Sequence, residues 1–227
     1  VTNSATGIIA VSSGRQLRLG GTGHTNAGRI ELAAGRLEVD GHFTNLPGGD
    51  MVGRGTLSFG EGLTNQGDLI FASGATDIFG DVNNTPNAKV LISGGAEVVF
   101  WDDVTHNGAT FNVSTGSSVT FFGQAGFSVS GGGDVYFEED ISPGNSPGLS
   151  QFGGDVYFGG GSHLLMELGG TTRGIGYDSL AVADTAHLGG ELTVALIDGF
   201  VPQIGSQFQL VSAADRDGTF AKLNLPY

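Results

Sequence analysis

A strand-turn-strand unit recurs about every 20 residues, and this period restricts the possible folds more than any other feature of the chain. The unit reads IELAAGRLEVDG at 30–41, DMVGRGTLSFGE at 50–61, IFASGATDIFGD at 70–81 and LISGGAEVVFWD at 91–102. It continues as NVSTGSSVTFFG at 112–123, SVSGGGDVYFEE at 128–139 and LSQFGGDVYFGG at 149–160. Its tenth position is Val39, Phe59, Phe79, Phe100, Phe121, Phe137 and Phe158, at spacings of 20, 20, 21, 21, 16 and 21. A looser copy at 10–21 places Leu19 twenty residues before Val39. Such a period is too short for a βαβ unit, which needs about 30 residues, or for a propeller blade of about 40–45. It suits one coil of a parallel β-helix, in which each strand pairs with its counterpart one coil away at about 4.8 Å. The crossover rule for parallel strands favours a right-handed coil. Eight registers at that spacing make a rod of roughly 35–40 Å.

Between these units lies a second element of the same period: GHTN at 23–26, GHFTN at 41–45, EGLTN at 61–65, GDVNN at 80–84 and DDVTHN at 102–107. Stacked coils would bring Asn26, Asn45, Asn65 and Asn84 into an amide ladder that continues to His106 and Asn107. The segment from Phe121 to Phe137 is about five residues shorter than its neighbours, and it lacks this element. The same period places Phe59, Phe79, Phe100 and Phe121 in one interior aromatic stack. Residues 1–160 thus read as regular parallel coils. From 161 to 227 the alternating strands are longer and less evenly spaced, as in HLLMELGG at 163–170 and GELTVALIDG at 190–199, and they read as terminal coils and a β cap.

Composition agrees with an all-β solenoid. Gly accounts for 42 of 227 residues, a large excess over the usual share of about 7%, and each Gly inside a helix costs about 1 kcal/mol relative to Ala. Six prolines and no three-residue Gly period exclude collagen. The net charge of −14 disfavours nucleic acid as a partner. The charge is uneven: residues 1–54 hold five Arg and four acids, whereas 55–227 hold four bases and nineteen acids. Without cysteine there is neither a disulfide nor a thiolate metal site. The apolar runs are too short to span a bilayer, and no signal-like segment precedes Val1.

Catalytic patterns are sparse. The five histidines, at 24, 42, 106, 163 and 187, show no zinc-binding spacing, and no GxSxG elbow or P-loop occurs. On a solenoid, Asp81, Asp102 and Asp103 would share one face. Two such carboxylates could serve as acid and base, and all three are weak candidates for Ca²⁺ ligands. A lyase acting on an anionic sugar also needs a base, and the acidic middle of the chain offers only Lys89. Trp101, beside Phe100, faces outward in an alternating strand and could stack on a glycan or contact a partner.

The segments SPGNSPG at 142–148, GGDVYFGGGSHLLMELGG at 153–170, YDSLAVADTAHLGGELTVALIDGFVPQIGSQFQLVSA at 177–213 and GTFAKLNLP at 218–226 resemble bacterial autotransporter-like repeat proteins. The resemblance extends to PEP-CTERM-type extracellular proteins. It implies a secreted or surface-displayed right-handed β-helix, in a class that includes adhesins, passengers and matrix proteins. The expectation is therefore a non-catalytic extracellular rod that self-associates, end to end or laterally, into a fibre, sheath or matrix. Arg15, Arg18, Arg29, Arg36 and Arg54 would meet acids of a neighbouring copy. The alternative is an adhesin or glycan-binding module using Trp101. A third reading is a polysaccharide lyase or hydrolase using Asp81 and Asp102.

Overall fold

Most coils bend at Gly-rich turns into three sides, with Arg29–Val39 and Asp50–Phe59 running unbroken through two of them, and successive coils pair in parallel. The computed structural model describes residues 1–143 and 147–226. Residues 144–146, part of the SPGNSPG segment quoted above, lie outside the described residues. The fold is an all-β parallel solenoid with about 21 residues per coil, and no helix occurs among the described residues. The strands Leu63–Asn65, Asp68–Phe71 and Gly74–Phe79 show one coil's three sides. We call them the asparagine, middle and aromatic faces. The stack continues past residue 160: Val156–Phe158 pairs with Thr185–Leu188, which pairs with Asp215–Gly218. Arg173 ties late coils together, its Nε donating to Ser179 Oγ at 2.7 Å and its Nη2 to Ser212 Oγ at 2.7 Å.

Alternation along each strand sends every second side chain into the interior, where registers align apolar residues. On the aromatic face one interior ladder runs Leu37, Leu57, Ile78, Phe100, Phe121, Phe137 and Phe158. Phe100, Phe121 and Phe137 stack with ring centroids 5.5 and 5.6 Å apart. Phe79 does not belong to this stack. Its partner in the preceding coil is the outward Ser58, and its ring stacks outside on Trp101. Phe59 is buried but ends a separate ladder after Leu19 and Val39. A constant period of 20 fails here because the register steps are 21 from Leu57 to Ile78 and 22 from Ile78 to Phe100. A one-residue slip reverses the face on which a side chain lies. Above Phe59 comes Gly80, where a Cβ would stand 2.0 Å from the Phe59 carbonyl oxygen and φ is +91°, so glycine fits where side chains do not.

The asparagine ladder forms in the expected register and begins one coil earlier, at Asn3. Nδ2 of Asn3, Asn26, Asn45 and Asn65 donates to Oδ1 of the next amide at 2.7, 2.8, 2.9 and 2.9 Å. The second Nδ2 hydrogen has a place as well: Asn26 donates to Gly28 O at 3.1 Å and Asn45 to Gly49 O at 3.0 Å. Asn26, Asn45, Asn65 and Asn84 are wholly buried. A buried amide left without partners costs about 1–3 kcal/mol. Replacement Asn65→Ala removes the acceptor of Asn45 and the donor to Asn84, and is expected to cost about 2–4 kcal/mol in urea unfolding. Asn83→Ala, on the solvent side of the next strand, should cost less than about 0.5 kcal/mol. Equal losses for the two variants would show that the ladder contributes nothing special.

Candidate functional site: a groove at the shortened coil

Sixteen residues separate Phe121 from Phe137, whereas 21 separate Phe100 from Phe121 and Phe137 from Phe158. The missing length comes from the asparagine face. Strand Val104–His106 is the last of its six-stranded sheet. The short coil follows it only briefly: Val104 N donates to Gln124 O at 2.9 Å, and Ala125 N donates onward to Asp140 O at 3.1 Å. At Gly126 the chain cuts the corner. A Cβ there would lie 1.5 Å from Ser142 O, so the passage requires glycine. Phe127 then turns inward and stacks on His106, centroids 4.7 Å apart, while contacting Phe111 and Phe121. Val129 joins the middle face by donating to Gln151 O at 2.8 Å.

Coils on either side project beyond this recess, and the result is a groove of about 930 Å³. Its near wall is Thr105 to Ala109, its floor Gln124 to Ser128, and its far wall includes Ser142, Leu149 and Ile175. Thr105, Asn107, Gln124, Ser128 and Ser150 line it, with Thr105 Oγ1 and Asn107 Nδ2 donating to Asn83 Oδ1 and Ser150 Oγ to Gly126 O; Asp103 lies at one end, and among the described residues no Lys or Arg lines it. A second depression of about 450 Å³ shares Ser128 and runs on toward Phe152 and Ala181 to Ala183.

His106 occupies the register after Asn84 and ends the ladder. Its Nε2 lies 2.8 Å from Ala109 O, while its Nδ1 and Asn84 Nδ2 are buried without protein partners. Burial lowers the pKa of His106 below its usual 6.5, against the smaller raising effect of the Ala109 bond.

The acids singled out from the sequence act as coil-to-coil acceptors. Gly80 N donates to Asp102 Oδ2 at 2.7 Å, Asp103 N to Asp81 Oδ1 at 3.3 Å, and Gln124 N to Asp103 Oδ1 at 2.8 Å. Among the described residues no group of three or more His, Cys, Asp or Glu is placed to hold a metal ion, so Asp81, Asp102 and Asp103 do not assemble a Ca²⁺ cage. Of the arginines, Arg18 pairs with Glu38 and Asp40, Arg29 with Glu31 and Asp50, and Arg36 with Glu38. Arg15 and Arg54 are exposed. The motif residues of YDSLAV are internal: Tyr177, Asp178, Leu180 and Val182 are buried. Asp178 accepts N–H bonds from Gly148 at 2.6 Å and Glu167 at 2.8 Å, and its pKa is raised because burial outweighs those bonds.

Trp101 sits in an outward row between Phe79, at 5.6 Å, and Phe122, at 4.5 Å. Its Nε1 donates to Asp77 at 2.9 Å. Both faces of the indole are therefore covered, which leaves its edge for a partner and no free face for a sugar. Sequence reading missed a second outward row on this face. Tyr136 stacks on Tyr157 at 4.3 Å, Tyr157 on His187 at 4.1 Å, and His187 Nδ1 pairs with Asp217 at 2.8 Å. The repeated DVYF at 134–137 and 155–158 carried that signal. Desolvation, followed by the neighbouring Tyr136 and acids, pushes the Tyr157 pKa up to about 12.

Comparison with protein-family models, curated proteins and solved structures gives no match. Among the described residues no helix is long and apolar enough to cross a membrane.

The His106 environment fixes the sign of a pH effect. A folded-state pKa below the unfolded value means that, as pH falls through about 6.5, the unfolded chain takes up a proton that folded His106 resists. Stability contributed by neutral His106 is present above that pH and is lost as pH falls toward the folded pKa. His106→Phe should therefore show a shallower decline of Tm between about pH 7 and 5 than the parent chain. Parallel curves for the two proteins would contradict this assignment.

Proposed function

We propose that the chain is a non-catalytic structural element, an extracellular rod that associates with further copies of itself into a fibre, sheath or matrix. The observation that supports this reading is the double row of outward rings on the aromatic face: Phe79, Trp101 and Phe122, then Tyr136, Tyr157 and His187. Trp101 is 40% exposed on the flat side of a parallel sheet. Flat sheet faces carrying apolar rows pack well against one another. The resemblance to surface-displayed repeat proteins agrees with an extracellular setting. Asp81 and Asp102 each accept one main-chain N–H from an adjacent coil, which is a structural use of these acids.

Charge tells lateral from head-to-tail association. Three of the five N-terminal arginines already have acidic partners within the chain, which weakens a head-to-tail ion-pair contact. A net charge of −14 opposes any contact between copies until salt screens it. Lateral association through rings is thus expected to increase at about 1 M salt, where the screening length is ~3 Å. Contact through arginine and acid would decrease instead. Sedimentation velocity and negative-stain microscopy at micromolar concentration check this, and Trp101→Asp should shift the high-salt species toward monomer. Monomers alone at both salt concentrations would falsify the proposal.

A further inference from the structure

Outward side chains on the aromatic face form three columns parallel to the rod. Ten strands pair in order here, from Gln16–Leu19 through the second halves of Arg29–Val39 and Asp50–Phe59 to Asp215–Gly218. One column holds the rings Phe79, Trp101 and Phe122, followed by Glu138. Two residues earlier on each strand comes a central column with Val99, Thr120, Tyr136 and Tyr157. Two earlier again comes a charged column of Ala75, Glu97, Ser118, Asp134 and Asp155. Arg54 occupies this column in the coil before Ala75. Its Cδ lies 2.8 Å from the place of a Gly74 Cβ, so the side chain leans toward the coil of Ala75. Among the described residues neither Arg54 nor Asp134 takes part in an ion pair. Burial, then the neighbouring Asp155, raises the Asp134 pKa, and a cation brought beside it would favour its charged form.

Two copies meet on this face in one of two symmetric ways. A two-fold axis along the rods keeps them parallel and sets the ring column of one against the charged column of the other. Trp101 then opposes Glu97, and Glu138 opposes Asp134. A two-fold axis along the strands turns one rod end for end and sets every column against itself, so rings face rings. We infer that the lateral contact is a two-fold pair of antiparallel rods, with Trp101 and Phe122 at its centre and Arg54 set against Asp134 of the second copy. The axis passes between the fifth and sixth of the ten strands, Ala96–Phe100 and Ser118–Phe121. There Trp101 lies over Phe122 of the second copy and Val99 over its Thr120, which makes an apolar centre of the kind that carries binding energy. Glu97 meets Ser118, and within the charged column no acid meets another. An axis through Trp101 itself would put Glu97 on Glu97. Ten strands about 4.8 Å apart and five residues wide present roughly 750 Å², close to the ~800 Å² that each partner gives to a stable interface. This inference rests on the lateral association proposed above and fixes its geometry.

The chain has no cysteine, so a single introduced one carries a nitroxide spin label at a chosen place. Ser13→Cys and Thr115→Cys lie at exposed turns beside the aromatic face, on the first and sixth coils. Pulsed electron resonance measures the distance between labels on paired copies in the species formed at about 1 M salt. Antiparallel pairing places the two Ser13 labels nine strand spacings apart along the rod, about 43 Å, and the two Thr115 labels one spacing apart, about 5 Å. The Ser13 distance should therefore exceed the Thr115 distance by more than about 20 Å. Equal distances at the two sites mean parallel rods, and they overturn this inference while leaving lateral association in place. Monomers at every salt concentration overturn both. A charge exchange tests the register. At the salt concentration where the parent chain is half associated, Arg54→Glu and Asp134→Arg should each weaken pairing on the order of fivefold, and the double variant should recover it. Within one chain these residues stand several coils apart, so recovery reports a contact between copies, and its absence overturns the inference as well.

Discussion

Main-chain pairing between parallel coils is the constraint on which every other feature depends. Once a strand pairs with its counterpart one coil away, the side chains at matching positions are held within strand spacing of each other whatever their chemistry. Identical or similar residues must then tolerate stacking on themselves. Phe does so through offset rings, as in the run from Phe100 to Phe137. Asn does so because its amide carries both a donor and an acceptor, so one residue type satisfies its own kind indefinitely. All four ladder bonds run in the same direction, from Nδ2 toward the C-terminal neighbour, so the aligned amide dipoles reinforce one another in the buried interior. Asp cannot make such a ladder, since buried like charges would face one another at the same spacing.

The same geometry explains why the acids signify little chemistry. At a corner between faces, a carboxylate at one coil finds the main-chain N–H of an adjacent coil, as Asp81, Asp102 and Asp103 do. Such bonds to charged acceptors stabilise the turn and fix the spacing of coils. On the aromatic face Asp155 likewise accepts Thr185 N at 2.8 Å from the next coil. Asp134 has its pKa raised by burial and then by the neighbouring Asp155.

Most of the fold was legible because the period is carried by residues whose physics is self-pairing. The Thr-Asn element located the amide ladder correctly, and the deficit between Phe121 and Phe137 located the break. The aromatic ladder was read less well. The ending in IFGD resembles that in LSFG, yet the strand Gly74–Phe79 is displaced by one residue, and Ile78 holds the interior place while Phe79 stacks outside. Register there is decided by turn length and by Gly80 fitting over the Phe59 carbonyl, neither of which an alternating pattern displays. The groove itself was legible only as a deletion. Nothing in the letters QAGFS announces that Phe127 folds into the core or that Gly126 passes against Ser142.

A solenoid has no natural cavity, because coils stacked at strand spacing leave flat sides; it acquires concavity by inserting a loop or by omitting a strand. This chain omits one, and the consequence reaches into the core. The amide ladder cannot cross a coil without an asparagine face, so it ends in Asn84 and His106, with one buried donor and one buried ring nitrogen unpartnered. Placing charge there is opposed by burial, which lowers the His106 pKa. The ring stack from His106 through Phe127 to Phe121 replaces hydrogen bonding with aromatic contact and closes the interior that the omitted strand would have covered. The adjoining coils remain in register on the aromatic face.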